Sequence, residues 1–249
     1  VRLIDLYNIR VGSDEYAKAN ESYGLTTLKS MHVKHLKGDE AEGRHDAVFS
    51  FTGKSGKTWD ITIEDDHLVD LILKTNRLGA KDADLFMYIS EAGNEVDLKA
   101  EHINQYIRAA SGMGFTAKNF RTWAATSRCA ERLAFLSSDR TTAEMKTWLK
   151  SVPSVESMDK LWSGGDWGVP TTDTGRNKAM LAVIDTVAAD LGNTRAVCRS
   201  SYIHPWFLDA WTEGRLGQAW AEFVDMRAMG NMTGGESTTL RILKSVVKA

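Results

Sequence analysis

The chain has very few cysteines and no long apolar run. Cys129 and Cys198 are the only two in 249 residues. Two are too few for a disulfide framework or a cysteine-rich zinc site, so both thiols are expected to be reduced. No apolar run approaches the roughly 20 residues of a membrane span, and residues 1–5 lack the apolar core of a signal peptide. The sequence therefore favours a cytosolic protein with no membrane partner.

The chain also lacks a strong excess of charge of one sign. Its formal net charge at pH 7 is only −2, but the charges are unevenly spread. Acidic residues concentrate between 60 and 97. The basic residues that follow are Arg108, Lys118, Arg121, Arg128 and Arg132. This distribution predicts one cationic face and one acidic back.

The first part of the chain has the alternation of β structure. With 43% hydrophobic and 26% charged residues, the composition is that of a globular protein of one domain or two small ones. Strands are predicted at residues 24–28, 48–52 and 58–63, and in the last of these Trp59, Ile61 and Ile63 alternate with polar residues. The loop at 53–57 contains two glycines suited to positive φ and places Lys54 at the tip of a hairpin.

Helical periodicity dominates from residue 66 onward, so the predicted fold class is α+β and predominantly helical, with a small antiparallel sheet near the N-terminus. Caps and turn residues set the helix ends. The first predicted helical segments are 68–78, 103–110 with an end at Gly112, and one from Thr116 through Arg121 to Leu133. A short helical pair is predicted within 137–175, with a Thr141 capping box and a loop at 163–170. The last two segments are 180–191, which stops at Gly192, and one from Pro205 to Gly214.

A tyrosine accompanied by cations is the most informative feature of the chain. A tyrosine hydroxyl is a weak nucleophile at neutral pH, because its pKa is about 10, so it needs neighbours that stabilise an anionic phosphorane. Arginine suits this task, since its planar fork binds phosphate oxygens and keeps its charge. Tyr202 closely follows Arg199, with Arg10, Lys54 and Arg121 upstream. The pattern indicates attack on a phosphodiester.

Four separated motifs occur in order along the chain. They are Arg10-Val11-Gly12 with Tyr16 and residues 24–28, Gly53-Lys54, the segment 118–123, and Gly192-Asn193-Thr194 with Tyr202 nine residues after Asn193. Together they resemble type IB DNA topoisomerases of the poxvirus and bacterial kind, over nearly the whole chain. The resemblance implies the catalytic fold that these enzymes share with tyrosine recombinases, as one catalytic domain over residues 1–249. The N-terminal part of that domain and the separate DNA-clamping domain are expected to lie outside this chain.

The resemblance implies a reaction and the residues that perform it. In this family a tyrosine becomes linked to the 3′-phosphate of one strand, the free 5′-hydroxyl end swivels, and the strand is resealed without ATP, cofactor or metal ion. Tyr202 is the implied nucleophile, and Arg10 and Arg121 the implied ligands of the non-bridging phosphate oxygens. Lys54 is the implied general acid for the departing 5′-oxygen, with Arg121 relaying that proton. The expected partner is double-stranded DNA, bound by a monomer in the cytosol, or on the nucleoid if the source is bacterial.

The other candidate residues are expected to contact DNA. Lys118 and Tyr16 resemble backbone phosphate contacts, and Arg199 is a further candidate. His204 has either a packing role or a phosphate contact. Asn193 stands where many family members have histidine. Because an amide can donate a hydrogen bond but cannot become cationic, its contribution should be smaller and nearly independent of pH.

One further position departs from the family pattern, and two other functions remain open. Arg195 stands where proline is expected, which puts the local turn in question. A tyrosine recombinase shares the fold and the phosphotyrosine chemistry, but it needs partner protomers, and its usual second-arginine segment differs from residues 120–123. The alternative in another class is a truncated, inactive DNA-binding module, suggested by the short N-terminus and Asn193.

Two further motifs have more ordinary explanations. Residues 53–55 resemble the end of a phosphate-binding loop, but that motif needs a glycine where Val48 stands and a helix afterwards, so nucleotide binding is rejected. His32 and His35 lack a second pair of ligands at suitable spacing, which favours a structural or surface role over a metal site.

Overall fold

Residues 1–37, 45–76 and 81–247 are described by a computed structural model, and the chain divides into two units. Unit 1 comprises residues 1–120 and unit 2 residues 121–249, and the boundary falls within helix α5 (Ala117–Phe135). The prediction of one catalytic domain over residues 1–249 stays a prediction. Among the helices of the described residues, none has the length and apolar character required to cross a membrane.

Unit 1 combines short helices with two antiparallel sheets. Its elements are α1 (Arg2–Tyr7), α2 (Asp14–Asn20), β1 (Val33–Lys37), β2 (His45–Thr52), β3 (Thr58–Ile63), α3 (Asp66–Asn76), β4 (Met87–Ile89), β5 (Glu95–Asp97), α4 (Ala100–Ser111) and the beginning of α5. Single 3-10 turns occur at Leu25–Thr27, Ser30–His32 and Lys54–Gly56. The sheets have the strand orders β1-β2-β3 and β4-β5.

The three-stranded sheet covers the apolar core of unit 1. Strand β2 pairs antiparallel with both β1 and β3. Phe49 and Phe51 alternate along β2 and are buried, and Phe49 pairs with the buried Ile61 of β3. Ile72 of α3 belongs to the same buried cluster. Because alternate strand residues share one face, burial of that face fixes the β2–β3 hairpin that carries Lys54.

Residues 24–28 do not form the predicted strand. The backbone N–H of Leu25 donates to the Arg10 carbonyl and that of Thr26 to the Val11 carbonyl, each at 2.8 Å. The segment folds as one 3-10 turn. Its polar backbone groups are therefore satisfied by a loop instead of a neighbouring strand, and the strand prediction is wrong here.

The predicted β2–β3 hairpin is confirmed, and β2 is longer than expected. Strand β1 is not predicted from the sequence, because only two of its five residues, Val33 and Leu36, are apolar. Of the two loop glycines only Gly56 has a positive φ, at 72°. Gly53 has a φ of −95°, so the prediction of positive φ is wrong for Gly53.

Unit 2 is helical. Its elements are the remainder of α5, α6 (Thr142–Leu149), α7 (Glu156–Leu161), α8 (Asp173–Asp190), α9 (Arg195–Ser201), α10 (Pro205–Thr212), α11 (Leu216–Ala221) and α12 (Gly234–Val247). Helices α7, α9 and α10 contact α8. Residues 182–184 and 186–188 of α8 are all buried, so α8 is a central helix instead of the predicted amphipathic one. The α+β, predominantly helical fold class is confirmed.

Most predicted helix boundaries are confirmed. They are the end of α4 at Gly112, the Thr141 capping box of α6, the end of α8 before Gly192 and the start of α10 at Pro205. Thr116 precedes α5, as expected for its N-cap, although its hydroxyl donates to Asn119 Oδ1 at 3.0 Å. Leu78, the predicted end of the first long helix, lies outside the described residues.

The basic residues of α5 do not form one cationic face. Arg121 and Arg132 are buried, at 4% and 8% exposure. Arg132 pairs with Asp190 at 2.7 Å and donates to the Thr186 hydroxyl at 3.0 Å, and Arg128 lies 3.5 Å from the same carboxylate. These charges join α5 to α8 within unit 2, so the predicted single cationic face is wrong.

Both cysteines are free, buried thiols of unit 2. Burial raises the pKa of Cys198 to about 11 and also raises the pKa of Cys129. Since the thiolate is the reactive form, we expect neither thiol to react with an aromatic disulfide reagent at pH 8 in the native protein, and both to react after denaturation. Fast reaction of either thiol in the native protein would contradict this prediction.

His32 has the structural role that the sequence favours. Its Nδ1 accepts the Lys29 N–H at 3.0 Å, and its ring centroid lies 4.4 Å from that of Tyr23. Burial, and secondarily the charge of Lys29, lowers the pKa of His32. The side chain of His35 lies outside the described residues.

The lowered pKa of His32 predicts acid sensitivity. The neutral ring is preferred in the folded state, so its contribution to stability is complete above the unfolded pKa of about 6.5 and is lost as pH falls through the lower folded-state pKa. The free energy of unfolding should therefore decline less between pH 7 and pH 5 in His32→Asn than in the wild type. Denaturant titrations at several pH values measure this, with the exposed His67→Asn as a control. Parallel curves for wild type and His32→Asn would contradict the prediction.

Candidate active site

The predicted site residues are distributed over both units. Unit 1 contains Arg10, Tyr16, Lys54 and Lys118, and unit 2 contains Arg121, Asn193, Arg199, Tyr202 and His204. Tyr16, Lys54, Lys118 and Arg199 are exposed. Exposed cations and phenols of this kind are available to a polyanion such as DNA.

The backbone of Arg10 is fixed by a close approach of two glycines. A Cβ built on Gly24 would lie 2.6 Å from the N and Cα atoms of Gly12 and 2.7 Å from the carbonyl oxygen of Arg10. Gly12 has a φ of 99°, which residues with a Cβ rarely adopt. The Arg10 carbonyl also accepts the Leu25 N–H. Residues 24–28 therefore position Arg10, although they are not a strand.

This close approach predicts a large cost for one added methyl group. Gly24→Ala should lower the free energy of unfolding by roughly 1–3 kcal/mol, because backbone atoms must move to admit the Cβ. Gly114→Ala is the matched control, since a Cβ there has no heavy atom of the described residues within 4 Å. Denaturant titration of both variants measures the difference, and equal stabilities would contradict the prediction.

Lys54 lies in a rigid turn between β2 and β3. A Cβ on Gly53 would lie 2.5 Å from Trp59 Nε1, so only glycine permits this contact. Trp59 in turn stacks on Phe51, with the ring planes 9° apart. The backbone of Lys54 is thus fixed while its side chain is exposed. Its ammonium lies 5.6 Å from the centroid of the Tyr16 ring.

Tyr202 lies beside Arg121 in unit 2. The phenol is half-buried at the end of α9, and its ring centroid is 5.6 Å from Arg121 Cζ. The Nη2 of Arg121 donates to the carbonyl of Leu191 at 2.6 Å. A buried guanidinium held in this way presents a fixed positive charge next to the phenol, and such fixed charges stabilise an anion that develops nearby.

Asn193 lies in the turn that follows α8. Its backbone N–H donates to the Ala188 carbonyl at 2.8 Å, and Gly192 has a φ of 60°. Asn193 is buried and lies two residues after Leu191, whose carbonyl holds Arg121. The end of α8 therefore positions both residues.

Thr126 is a residue that the sequence analysis missed. Its hydroxyl donates to the Tyr202 carbonyl at 3.0 Å and accepts the His204 N–H at 3.1 Å. One side chain of α5 thus fixes the backbone on both sides of Ile203. A threonine within a helix has no sequence signature for this role, because both partners are backbone groups more than 70 positions away.

The residues around the tyrosine have local structural roles as well. His204 is the N-cap of α10, where its Nδ1 accepts the Trp206 N–H at 3.3 Å. This capping bond is a structural role for His204. Its phosphate contact stays a prediction. Arg195 is the first residue of α9 and pairs with Asp185 at 2.6 Å. Proline, which the family pattern has at this position, is favoured as the first residue of a helix. Because α9 begins at this same position with arginine, the turn is not disturbed.

Comparison with known proteins matches this chain to DNA topoisomerases. The model of the family "Eukaryotic DNA topoisomerase I, catalytic core" matches residues 1–205, which include the candidate site residues of both units. The DNA topoisomerase 1B of Acanthamoeba polyphaga mimivirus is 34% identical to this chain over 156 residues. The alignment covers 61% of this chain and 44% of that protein, so it spans less than half of the relative's length.

Proposed function

This chain belongs to the family of the eukaryotic DNA topoisomerase I catalytic core, and on this basis we propose that it relaxes supercoiled DNA through a transient 3′-phosphotyrosine bond, without ATP or metal. The proposal depends most on one observation, the buried guanidinium of Arg121 beside the ring of Tyr202. The narrower relationship to poxvirus and bacterial enzymes, and the fold shared with tyrosine recombinases, are part of the proposal.

The proposed cleavage step is a displacement at phosphorus. The Tyr202 oxygen bonds to phosphorus as the phenol gives its proton to solvent water, and the bond to the 5′-oxygen breaks. Lys54 gives a proton to that oxygen, with Arg121 relaying it, because an alkoxide is a poor leaving group. Arg10 and Arg121 stabilise charge on the non-bridging oxygens, and Asn193 adds a hydrogen bond. The phosphotyrosine diester retains the bond energy, so religation is the same step in reverse and needs no ATP.

DNA binding is assigned to exposed side chains. We assign backbone phosphate contacts to Lys118, Tyr16 and Arg199, which are exposed, with His204 as a further candidate. Such contacts carry little sequence information and release counterions, so affinity should fall steeply as salt rises. We further propose that the protein acts as a monomer in the cytosol, on the nucleoid if the source is bacterial.

Plasmid relaxation tests the proposal. Negatively supercoiled plasmid is incubated with the protein in EDTA without ATP, and the topoisomers are resolved by electrophoresis. We expect a ladder of relaxed topoisomers. Recombinant products at one defined site would instead identify a tyrosine recombinase, and salt-sensitive DNA binding without relaxation or a covalent adduct would identify an inactive binding module.

A further inference from the structure

The side chain of Lys54 has an aromatic neighbour. Its ammonium lies 5.6 Å from the centroid of the Tyr16 ring, within the distance at which the quadrupole of a ring attracts a cation. Both side chains are exposed. Among the described residues of unit 1, no carboxylate lies within 4.0 Å of this ammonium. Among these residues, the electrostatic contact of the ammonium is therefore the Tyr16 ring.

Helix α2, which carries Tyr16, is anchored independently of Lys54. Asp14 in its first turn pairs with Lys99 at 2.9 Å, and Lys99 also lies 3.5 Å from Asp97 and 3.8 Å from Asp84. The hydrogen bond to Asp14 is the main cause of the raised pKa of Lys99. The helix is thus tied to the segment that precedes α4.

The turn that carries Lys54 is anchored as well. Gly53 packs against the indole of Trp59, and the Gly53 N–H donates to the Lys57 carbonyl at 2.7 Å. With both backbones fixed, the remaining freedom is that of the Lys54 side chain, which has four rotatable bonds and a large conformational entropy. Because the Tyr16 ring attracts the ammonium in one part of the space that the Lys54 side chain can reach, it restricts the position of the ammonium.

We propose that the aromatic ring of Tyr16 is a positioning residue for the Lys54 ammonium, which it holds ready to protonate the departing 5′-oxygen. The inference rests on the proposed function and deepens it. A general acid must lie within hydrogen-bond reach of its target. A carboxylate would hold the ammonium by accepting its hydrogen bonds and would compete for its proton. The face of a ring attracts the cation without accepting its proton, so the ammonium stays able to donate that proton to the leaving oxygen.

This role belongs to the ring and is separate from the phosphate contact assigned to the Tyr16 hydroxyl. Tyr16→Phe removes the hydroxyl and keeps the ring, whereas Tyr16→Leu removes both. Loss of a phosphate contact should slow cleavage of any substrate. Loss of acid positioning should slow only substrates whose leaving group needs a proton.

The test compares two DNA substrates, one with a normal 5′-oxygen at the cleavage site and one with sulfur in its place. Single-turnover cleavage rates give the sulfur-to-oxygen ratio for each protein. Tyr16→Leu should raise this ratio about two- to fivefold over the wild type, as expected for losing an exposed cation–π contact. Tyr16→Phe should slow both substrates alike and keep the wild-type ratio. Tyr106→Leu, which removes another exposed tyrosine of unit 1, is the control for folding.

The outcomes separate this inference from the proposed function. An unchanged ratio in Tyr16→Leu, or an equal rise in Tyr16→Phe, would overturn the role of the ring while cleavage by the wild type still stands. If the wild type cleaves neither substrate, the proposed function fails, and this inference fails with it.

Discussion

Replacing Arg121 with alanine is expected to slow strand cleavage about 100- to 1,000-fold while DNA binding changes little. The guanidinium is 4% exposed and is held by the Leu191 carbonyl beside the Tyr202 ring. In the proposed mechanism it therefore meets the reacting phosphate at a fixed place, where negative charge grows mainly in the transition state. Single-turnover cleavage and equilibrium binding to the same duplex measure the two effects.

Two further variants make the Arg121 result interpretable. Arg121→Lys keeps a positive charge but lacks the planar fork, so it should recover only part of the lost rate. Arg128→Ala removes another arginine of α5, one that lies near Asp190, and controls for a general effect on this helix. Equal losses of binding and cleavage in Arg121→Ala would contradict the assignment.

Replacing Lys54 with alanine is expected to slow cleavage of normal DNA about 100- to 10,000-fold, the usual contribution of a positioned general acid. The same variant should cleave DNA with a 5′-bridging sulfur at nearly the wild-type rate, because a thiolate leaves without a proton. The fixed turn between β2 and β3 supports this role, since it presents an exposed ammonium on a rigid backbone. Cleavage rates on the two substrates provide the measurement.

The Lys54 prediction has controls in the same turn and at the nucleophile. Lys57→Ala removes a second lysine of the turn and should affect the two substrates equally. Tyr202→Phe should cleave neither, since sulfur replaces the leaving group and does not supply a nucleophile. If sulfur fails to restore cleavage by Lys54→Ala, Lys54 is not the general acid.

The parts of the fold with local signals were predictable from the sequence. The β2–β3 hairpin follows from alternating residues on either side of a glycine loop. Gly112 indicates where α4 ends, and Thr141 and Pro205 indicate where α6 and α10 begin. Gly112 and Thr141 bond to backbone groups within a few positions, and Pro205 stands at the first helical position, where its missing N–H leaves no donor unpaired. Nothing distant is needed to specify them.

Two of the failures involve partners that lie elsewhere in the sequence. Residues 24–28 have the composition of a strand, but their amides bond to the loop at Arg10 and Val11. Arg132 looks like a surface charge until α5 meets Asp190 of α8. A sequence pattern cannot reveal which polar group will be satisfied by a partner outside its own segment.

The site shows the same division. The motifs predict Tyr202, Arg121 and Lys54 as site residues, because these residue types at these spacings suit phosphodiester chemistry. What holds them was not predictable. The Leu191 carbonyl that binds Arg121 is a backbone atom and has no sequence signature, and the Thr126 hydroxyl acts on backbone groups of Tyr202 and His204.

The covalent intermediate tests the central claim most directly. A duplex labelled at the 5′ end of the cleaved strand is incubated with the protein, the reaction is stopped with denaturant, and the modified residue is located by mass spectrometry. We predict a labelled adduct at Tyr202 that is absent from Tyr202→Phe and present in the control Tyr106→Phe. No adduct with the wild type, or an adduct that persists in Tyr202→Phe, would contradict the account.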